Sequence, residues 1–593
     1  MIEPNECDSE RALHLRPVPT QQGRRVRLGT VLRLAWAGVA VVAAFLTGCS
    51  SAFYRGSADR AVYGILSAKE LAILGHTNAF TIDTPYSARE PKDIPAAELI
   101  AGRAKTGEQI VTLADALRLA FANNRQYQFR KETLYLSALT LTTERHEFEK
   151  QPVALFNTAL TRASDKSVTG NADGQLSVSQ LLQTGGTVSA SLVSDMLRYF
   201  SLTESPARSI LTTLSLKFTQ PLLRGAGVEV VAENLKQAER DVIYGIRSYS
   251  LFQKSFAVDV VTTYFRLLQR KDIVRNSYAN YLNLVKARER AEALAQDRLP
   301  AFQADQARQD ELRAKSTYIN AAQAFRAELD QFKQTLTLPV GTAIFLDDTA
   351  LQSLTKTGLV PVNLNDTRAY ELAVSQRADL LNNIDQFEDA KRKITVAASN
   401  LKMGLTFIAD AGLTSDPVDY AKFDFSRFRA SAGLGLDLPL DRVKQRNLYR
   451  AAIINFERQL RVLAAALDAA RDSLRQSVRI LEQVRENHVI QQNALELANK
   501  RVESAELLLQ AGRAQIRDQL EAQTALVAAQ NAVTEAVVDY HAARWKLLLD
   551  TGLLQTDHAR WWLEPQGPAP GPITPPPPKP GQEVVAPEKL FGK

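Results

Sequence analysis

Few side chains in this 593-residue chain are placed to do chemistry. The six His are scattered without metal-ligand spacing. The two Cys, Cys7 and Cys49, cannot build a disulfide framework. There is no nucleophile–base pair, phosphate-cradling glycine loop or cofactor fingerprint. The expectation is therefore a protein that is not an enzyme and has no cofactor and no metal. One acidic pair stands out by position. Asp518 and Glu521 follow Ala511-Gly512-Arg513 and are three residues apart, so a helix would carry both on one face. The simplest reading is a solvated face paired locally with Arg513 or Arg517. Gly185-Gly186 reads as a hairpin turn rather than a ligand loop.

The elements that must carry these residues are unusually long. Residues 440–511 hold no Gly or Pro, and neither do residues 513–551. A helix of about 70 residues spans roughly 100 Å. The break at Gly512 makes this stretch a long helical hairpin with its tip at residues 511–513. A mix of 7% aromatic and 23% charged residues suits long helices packed at narrow seams, such as Leu474, Val478 and Leu481. The net charge of +7 is spread along the chain with no basic cluster interleaved with aromatics, which argues against nucleic acid.

The N-terminus reads as an address. Arg24, Arg25 and Arg27 precede an apolar run over residues 31–46, interrupted by Arg33 and ending in small residues. The run is short for a membrane span and reads as a signal peptide, residues 1–48. Leu46-Thr47-Gly48-Cys49 resembles the bacterial lipobox, which implies export and lipid attachment at Cys49. Residues 49–111 show no clear periodicity.

The body of the chain is duplicated. Residues 112–127 align without gaps on residues 365–380, with Thr112 and Asn365 as helix caps. Each copy continues into period-two alternation of apolar and polar residues, the pattern of strands. In copy one this covers 153–164 and 211–221, and in copy two 403–413 and 430–439. Each copy then runs into a long helical hairpin, with tips near 297–300 and 511–513. The expected domains are repeat one over 112–338, a linker over 339–364, repeat two over 365–555 and a Pro-rich tail over 556–593. Copy one carries roughly 35 extra residues, placed around 175–196 and read as a hairpin about Gly185-Gly186. Whether they add strands or form an extracellular loop is open from the sequence. Strands of about ten residues suit a tilted bilayer crossing. Two strands per copy cannot close a barrel alone, and open edges are not tolerated in lipid.

This order of elements, with Val111-Thr112-Leu113-Ala114-Asp115-Ala116-Leu117, Thr219-Gln220-Pro221-Leu222 and Gln510-Ala511-Gly512-Arg513, resembles the TolC family of outer-membrane channel proteins over residues 112–555. The resemblance implies an α+β membrane protein whose long hairpins form a periplasmic α-barrel. It further implies a twelve-stranded transmembrane β-barrel completed by a homotrimer. The implied role is the passive exit duct of a tripartite efflux or type I secretion system, embedded in outer-membrane lipid. Its partners would be a periplasmic adaptor and an inner-membrane pump. The lipobox resembles that of the family's lipoprotein branch.

By the same resemblance, Asp518 and Glu521 occupy positions of an acidic periplasmic gate. Three copies of each would converge near an axis, favour cations and raise some of their own pKa values. Gly512 and Arg513 in copy two, and Arg298 and Pro300 in copy one, fall at the adaptor-docking tips. Copy one departs from the pattern, with Pro300 where a tip glycine is usual and Gln303 in place of an acid. The competing reading is a periplasmic coiled-coil lipoprotein, an adaptor or structural spacer that forms no pore.

Overall fold

A computed structural model describes residues 51–77, 79–162, 168–200, 208–296, 300–416 and 422–566. The leader, Cys49, Arg298 and the end of the Pro-rich tail lie outside the described residues. The chain divides into two units, Met1–Tyr63 and Gly64–Lys593. The described part of the first is the leading portion of helix α1, Ser51–Leu74. All remaining elements belong to the second unit.

Ahead of repeat one lie α2 (Ala96–Ala104) and the short strand β1 (Glu108–Val111), and the repeat itself opens with α3 (Leu113–Asn123) and α4 (Arg125–His146). Four strands follow: β2 (Gln151–Arg162), β3 (Val168–Leu181), β4 (Thr187–Phe200) and β5 (Arg208–Pro221). One turn of helix, α5 (Val228–Val231), leads into α6 (Glu233–Ala295), which pairs with α7 (Ala301–Thr335). Repeat two is preceded by β6 (Ala343–Leu346) and α8 (Thr349–Thr357). It then runs through α9 (Asp366–Gln376), α10 (Ala378–Ser399), β7 (Gly404–Thr414) and β8 (Arg429–Asp437). Its hairpin is α11 (Val443–Gln510) and α12 (Ile516–Thr551).

Several expectations are corrected. The described residues of 49–111 hold α1, a 3-10 turn at Pro91–Asp93, α2 and β1, and the expected linker contains β6 and α8. The two short strands pair in parallel, from Glu108 opposite Ala343 to Val111 opposite Leu346. A four-residue strand carries too little pattern to be read locally. Each repeat's opening helix is two helices. The break at Asn124 puts that residue in extended geometry, where its side chain accepts from Tyr127 N and its amide donates to Thr335 O at 2.9 Å. Arg377 makes the equivalent break in repeat two, with its guanidinium on Asp379 at 2.8 Å. The caps at Thr112 and Asn365 form as their types suggest, accepting from Asp115 N and Arg368 N.

The sheet decides what the sequence left open about the inserted residues. The order in the main sheet is β2-β3-β4-β5-β7-β8, antiparallel throughout, so one chain contributes six strands and not four. The inserted residues are β3 and β4, full partners of β2 and β5. Three such chains would supply eighteen strands, not the twelve implied by resemblance.

The helices pack in a row, α4 on α6, α6 on α10 and α10 on α11, with α12 lying on α6 and α11. The seam of α11 is heptad-like: Ala470, Leu474, Ser477, Leu481, His488, Ala498 and Ala505 are buried. Ser477 is buried at the seam and its hydroxyl donates to Asp550 at 2.9 Å, while the half-buried Val478 packs against the same core as Leu474 and Leu481. Leu474 and Leu481 pack with Ala369, Ala373, Leu380, Tyr540 and Leu547, joining both halves of repeat two. Among the described residues, no helix is long and apolar enough to cross a membrane.

Candidate functional site

The register of the six strands sorts their side chains onto two faces, because alternate residues point to opposite sides. Val178, Ala190, Leu216, Ala411 and Ala430 stand in line on one face. Leu176, Leu192, Leu214 and Leu413 form the next row of that face. Phe218 and Phe407 meet edge-to-face there with centroids 6.3 Å apart. Ser177, Ser191, Ser215 and Gly412 form a row of the opposite face. That face also carries Asp173, Lys217, Asp410 and Ser431. Ser191 and Ser215 hydroxyls lie 2.6 Å apart, and Ser431 donates to Asp410 at 2.6 Å.

Both faces are open. Leu160, Leu176, Leu216, Leu434 and Leu436 are all exposed on the apolar side. A soluble protein would cover such a face with helices. Among the described residues, the outer strands β2 and β8 have no partner on their outer edges.

Below the sheet, an ion-pair network locks repeat one to repeat two. Asp389 on α10 accepts from Tyr244 at 2.6 Å and pairs with Arg240 at 2.6 Å and Arg392 at 2.7 Å. Arg392 also holds Glu233 at 2.9 Å, and Arg240 holds Asp385 at 2.9 Å. Burial pushes the Asp389 carboxyl up, but Tyr244, Arg392 and Arg240 outweigh it and hold the group below its ordinary pKa. In the sequence these acids look like any solvated helical face, and no local signal marks them.

At the opposite end of the hairpins, Gly512 has φ of 71°, the left-handed conformation that lets α11 stop and the chain reverse. Gln515 and Asp518 form a reciprocal capping box: Gln515 receives the N3 amide, and the Asp518 carboxylate accepts from Gln515 N at 3.0 Å. Asp518 therefore holds the tip turn. Glu521 is exposed and lies 3.4 Å from Arg501 and 3.9 Å from Arg517, contacts worth little at such exposure. Arg513 is exposed beside Gly512. Pro300 is the N-cap residue of α7, and Gln303 N bonds its carbonyl at 3.0 Å. The two tips are joined laterally, since Ile516 and Leu520 are buried against Leu284, Ala291, Ala307 and Ala314.

Midway along the helices, Tyr264 on α6 donates to Val111 O at 2.9 Å, and Lys271 pairs with Asp348 at 2.7 Å. This ties the β1–β6 pair to the long helix. Nearby, α12 buries His541, Arg544 and Trp545 beneath residues 558–566. Trp545 Nε1 donates to Trp562 O at 3.1 Å, and Arg544 donates to the carbonyls of Trp562 and Glu564. His541 Nε2 lies 3.1 Å from Gly358 O. Burial is the main reason its pKa falls, to about 4, with the Arg544 charge adding to the effect. Trp561 and Trp562 thus pack on the middle of the helical tier, with Trp561 6.2 Å from Trp545. Among the described residues no group of three His, Cys, Asp or Glu is placed to hold a metal ion.

No protein-family profile and no curated protein sequence matches this chain. Solved structures do share its fold. The structure of CusC, from work on its folding and transmembrane channel formation, aligns with TM-score 0.52 at 12% identity, over 80% of this chain and 97% of that one. The CmeC outer-membrane channel of Campylobacter jejuni aligns with TM-score 0.53 at 13% identity, over 74% of this chain and 85% of that one. The outer-membrane protein VceC of Vibrio cholerae aligns with TM-score 0.53 at 13% identity, over 74% of this chain and 96% of that one.

Proposed function

We propose that this protein is an outer-membrane channel, the passive exit duct of a tripartite efflux or type I secretion system. The observation that carries the reading is the six-stranded sheet, with one apolar face, one polar face and two unpartnered edges. Its unsatisfied backbone groups would cost several kcal/mol each in lipid. Pairing of β8 with β2 of another copy removes that cost. The likeness of fold to outer-membrane channels supports the same reading.

In this proposal the protein is a homotrimer anchored by lipid at Cys49. The hairpins extend into the periplasm and meet an adaptor of an inner-membrane pump at Gly512, Arg513, Arg298 and Pro300. Asp518 and Glu521 form the narrow acidic mouth. Their place on the first two turns of α12 supports this, because three copies would bring six carboxylates to one opening. No step of covalent chemistry is required; the wall only excludes lipid and offers water.

Single-channel recording of the purified protein in planar bilayers tests this. The expected result is small, cation-preferring steps that grow when Asp518→Ala and Glu521→Ala are combined. Absence of steps in both proteins would leave the pore-free periplasmic lipoprotein as the better reading. Cys49→Ser should abolish incorporation of labelled fatty acid; continued incorporation would remove the anchor.

A further inference from the structure

We infer that the β3–β4 hairpin is part of the transmembrane wall and widens the barrel until it matches the helical tube beneath it. The inference rests on the channel reading above. Four helices meet the sheet in each chain: α4 enters β2, β5 leads through α5 to α6, α10 enters β7 and β8 leads to α11. The β3–β4 turn leads into no helix of its own. It is nonetheless docked at the helical end of the sheet. Thr184 donates to Gln220 at 3.0 Å, and Gly227 N donates to Thr184 O at 3.2 Å. Gly185 has φ of 92°, and a Cβ there would fall 2.6 Å from Gly225 O. This close fit is that of a turn built into the wall, not of a loop beyond the far ends of the strands.

The widths then agree. Four helices side by side, at about 8–10 Å between axes, cover roughly 36 Å of arc. Six strands spaced about 4.8 Å apart and tilted about 40° cover roughly 38 Å. Four strands would cover only about 25 Å. The inserted hairpin supplies the difference. Six is also even, so β8 of one copy and β2 of the next run antiparallel and bring their apolar faces together. Three copies give eighteen strands and a backbone diameter of about 36 Å, against about 24 Å for twelve. The barrel therefore continues the tube without a waist, and the narrowest point of the duct lies at the helical tips.

The experiment uses the full chain with Cys7→Ser and Cys49→Ser, reconstituted in lipid, carrying single cysteines labelled with a small fluorophore. Leu176→Cys and Leu192→Cys probe the apolar face of the inserted strands, and Ser177→Cys and Ser191→Cys the polar face. Leu214→Cys and Ala411→Cys serve as controls on β5 and β7. Positions 176 and 192 should be quenched by nitroxide lipid as strongly as 214 and 411, and several-fold more strongly than 177 and 191. Water-soluble iodide should reverse that order. Lipid quenching at 214 and 411 but not at 176 and 192 would overturn this inference alone. Loss of lipid quenching at all four would overturn the channel reading.

Deletion of residues 168–200 joins β2 to β5 by one long loop and gives a second measurement. In bilayers, the largest neutral polymer admitted from the strand side should shrink to about two-thirds of its radius. An unchanged cut-off in an assembled deletion variant would refute the wider barrel. If the variant does not assemble, the quenching pattern decides.

Discussion

His541 gives the sharpest test of how α12 is packed. Its side chain is fully buried, with Nε2 3.1 Å from Gly358 O and the buried Arg544 one turn away. The ring is therefore neutral in the fold, with its pKa depressed from 6.5 to about 4, first by burial and then by Arg544 and His488. The unfolded chain binds a proton near pH 6.5 and the folded chain does not. Stability is complete above that pH and falls as pH drops toward 4. The gap corresponds to about 3 kcal/mol per chain, because one pKa unit is about 1.4 kcal/mol. His541→Gln keeps a donor for Gly358 O and does not titrate. Denaturant midpoints of the two proteins in detergent, followed by Trp fluorescence from pH 7.5 to 4.5, should converge as pH falls. The four Trp are Trp36, Trp545, Trp561 and Trp562. Trp36→Phe in both proteins confines the signal to this cluster, since Trp545 lies 5.9 Å from His541. Parallel curves over that range would refute a buried neutral imidazole.

Leu474→Ala opens a cavity in the core shared by α9, α10, α11 and α12, and should cost about 3 kcal/mol by denaturant unfolding, whereas exposed Leu460→Ala should cost less than about 0.5 kcal/mol. Asp389→Asn leaves Arg240 and Arg392 without their shared carboxylate and should cost about 3 kcal/mol at pH 7. Because the folded pKa of Asp389 is lowered, the stabilisation is present above its ordinary value of 3.8 and lost as pH falls below it, so the variant and parent should converge in strong acid. Gly185→Val demands a left-handed valine and meets Gly225 O, so it should undock the β3–β4 turn and lower the thermal unfolding midpoint, while Gly433→Ala, with open space around it, should not.

The sequence by itself determined the long helical hairpins, the repeated order of elements and the existence of the main-sheet strands, but not the short elements around them. Runs free of Gly and Pro leave no place to stop, so the hairpins read directly from residues 440–511 and 513–551. Caps at Thr112 and Asn365 work through atoms three residues away, and so are legible locally. Gly512 is legible for the same reason, since reversal at a helix end needs a left-handed residue. Alternation marked strands on both sides of Gly185, but could not say whether they join the sheet. That depends on Thr184 meeting Gln220 and on residues 168–181 lying in register with both neighbours, contacts between segments far apart in the chain. The same limit hid the roles of Asp389 and His541. An acid on a helix and an imidazole on another carry no local sign of burial, and their pKa values are set by partners that only the packed tertiary structure brings near. At the tip, the sequence placed Asp518 and Glu521 on one face. The fold added that Asp518 caps its own helix, because Gln515 N comes within 3.0 Å of its carboxylate only once the turn at Gly512 has formed.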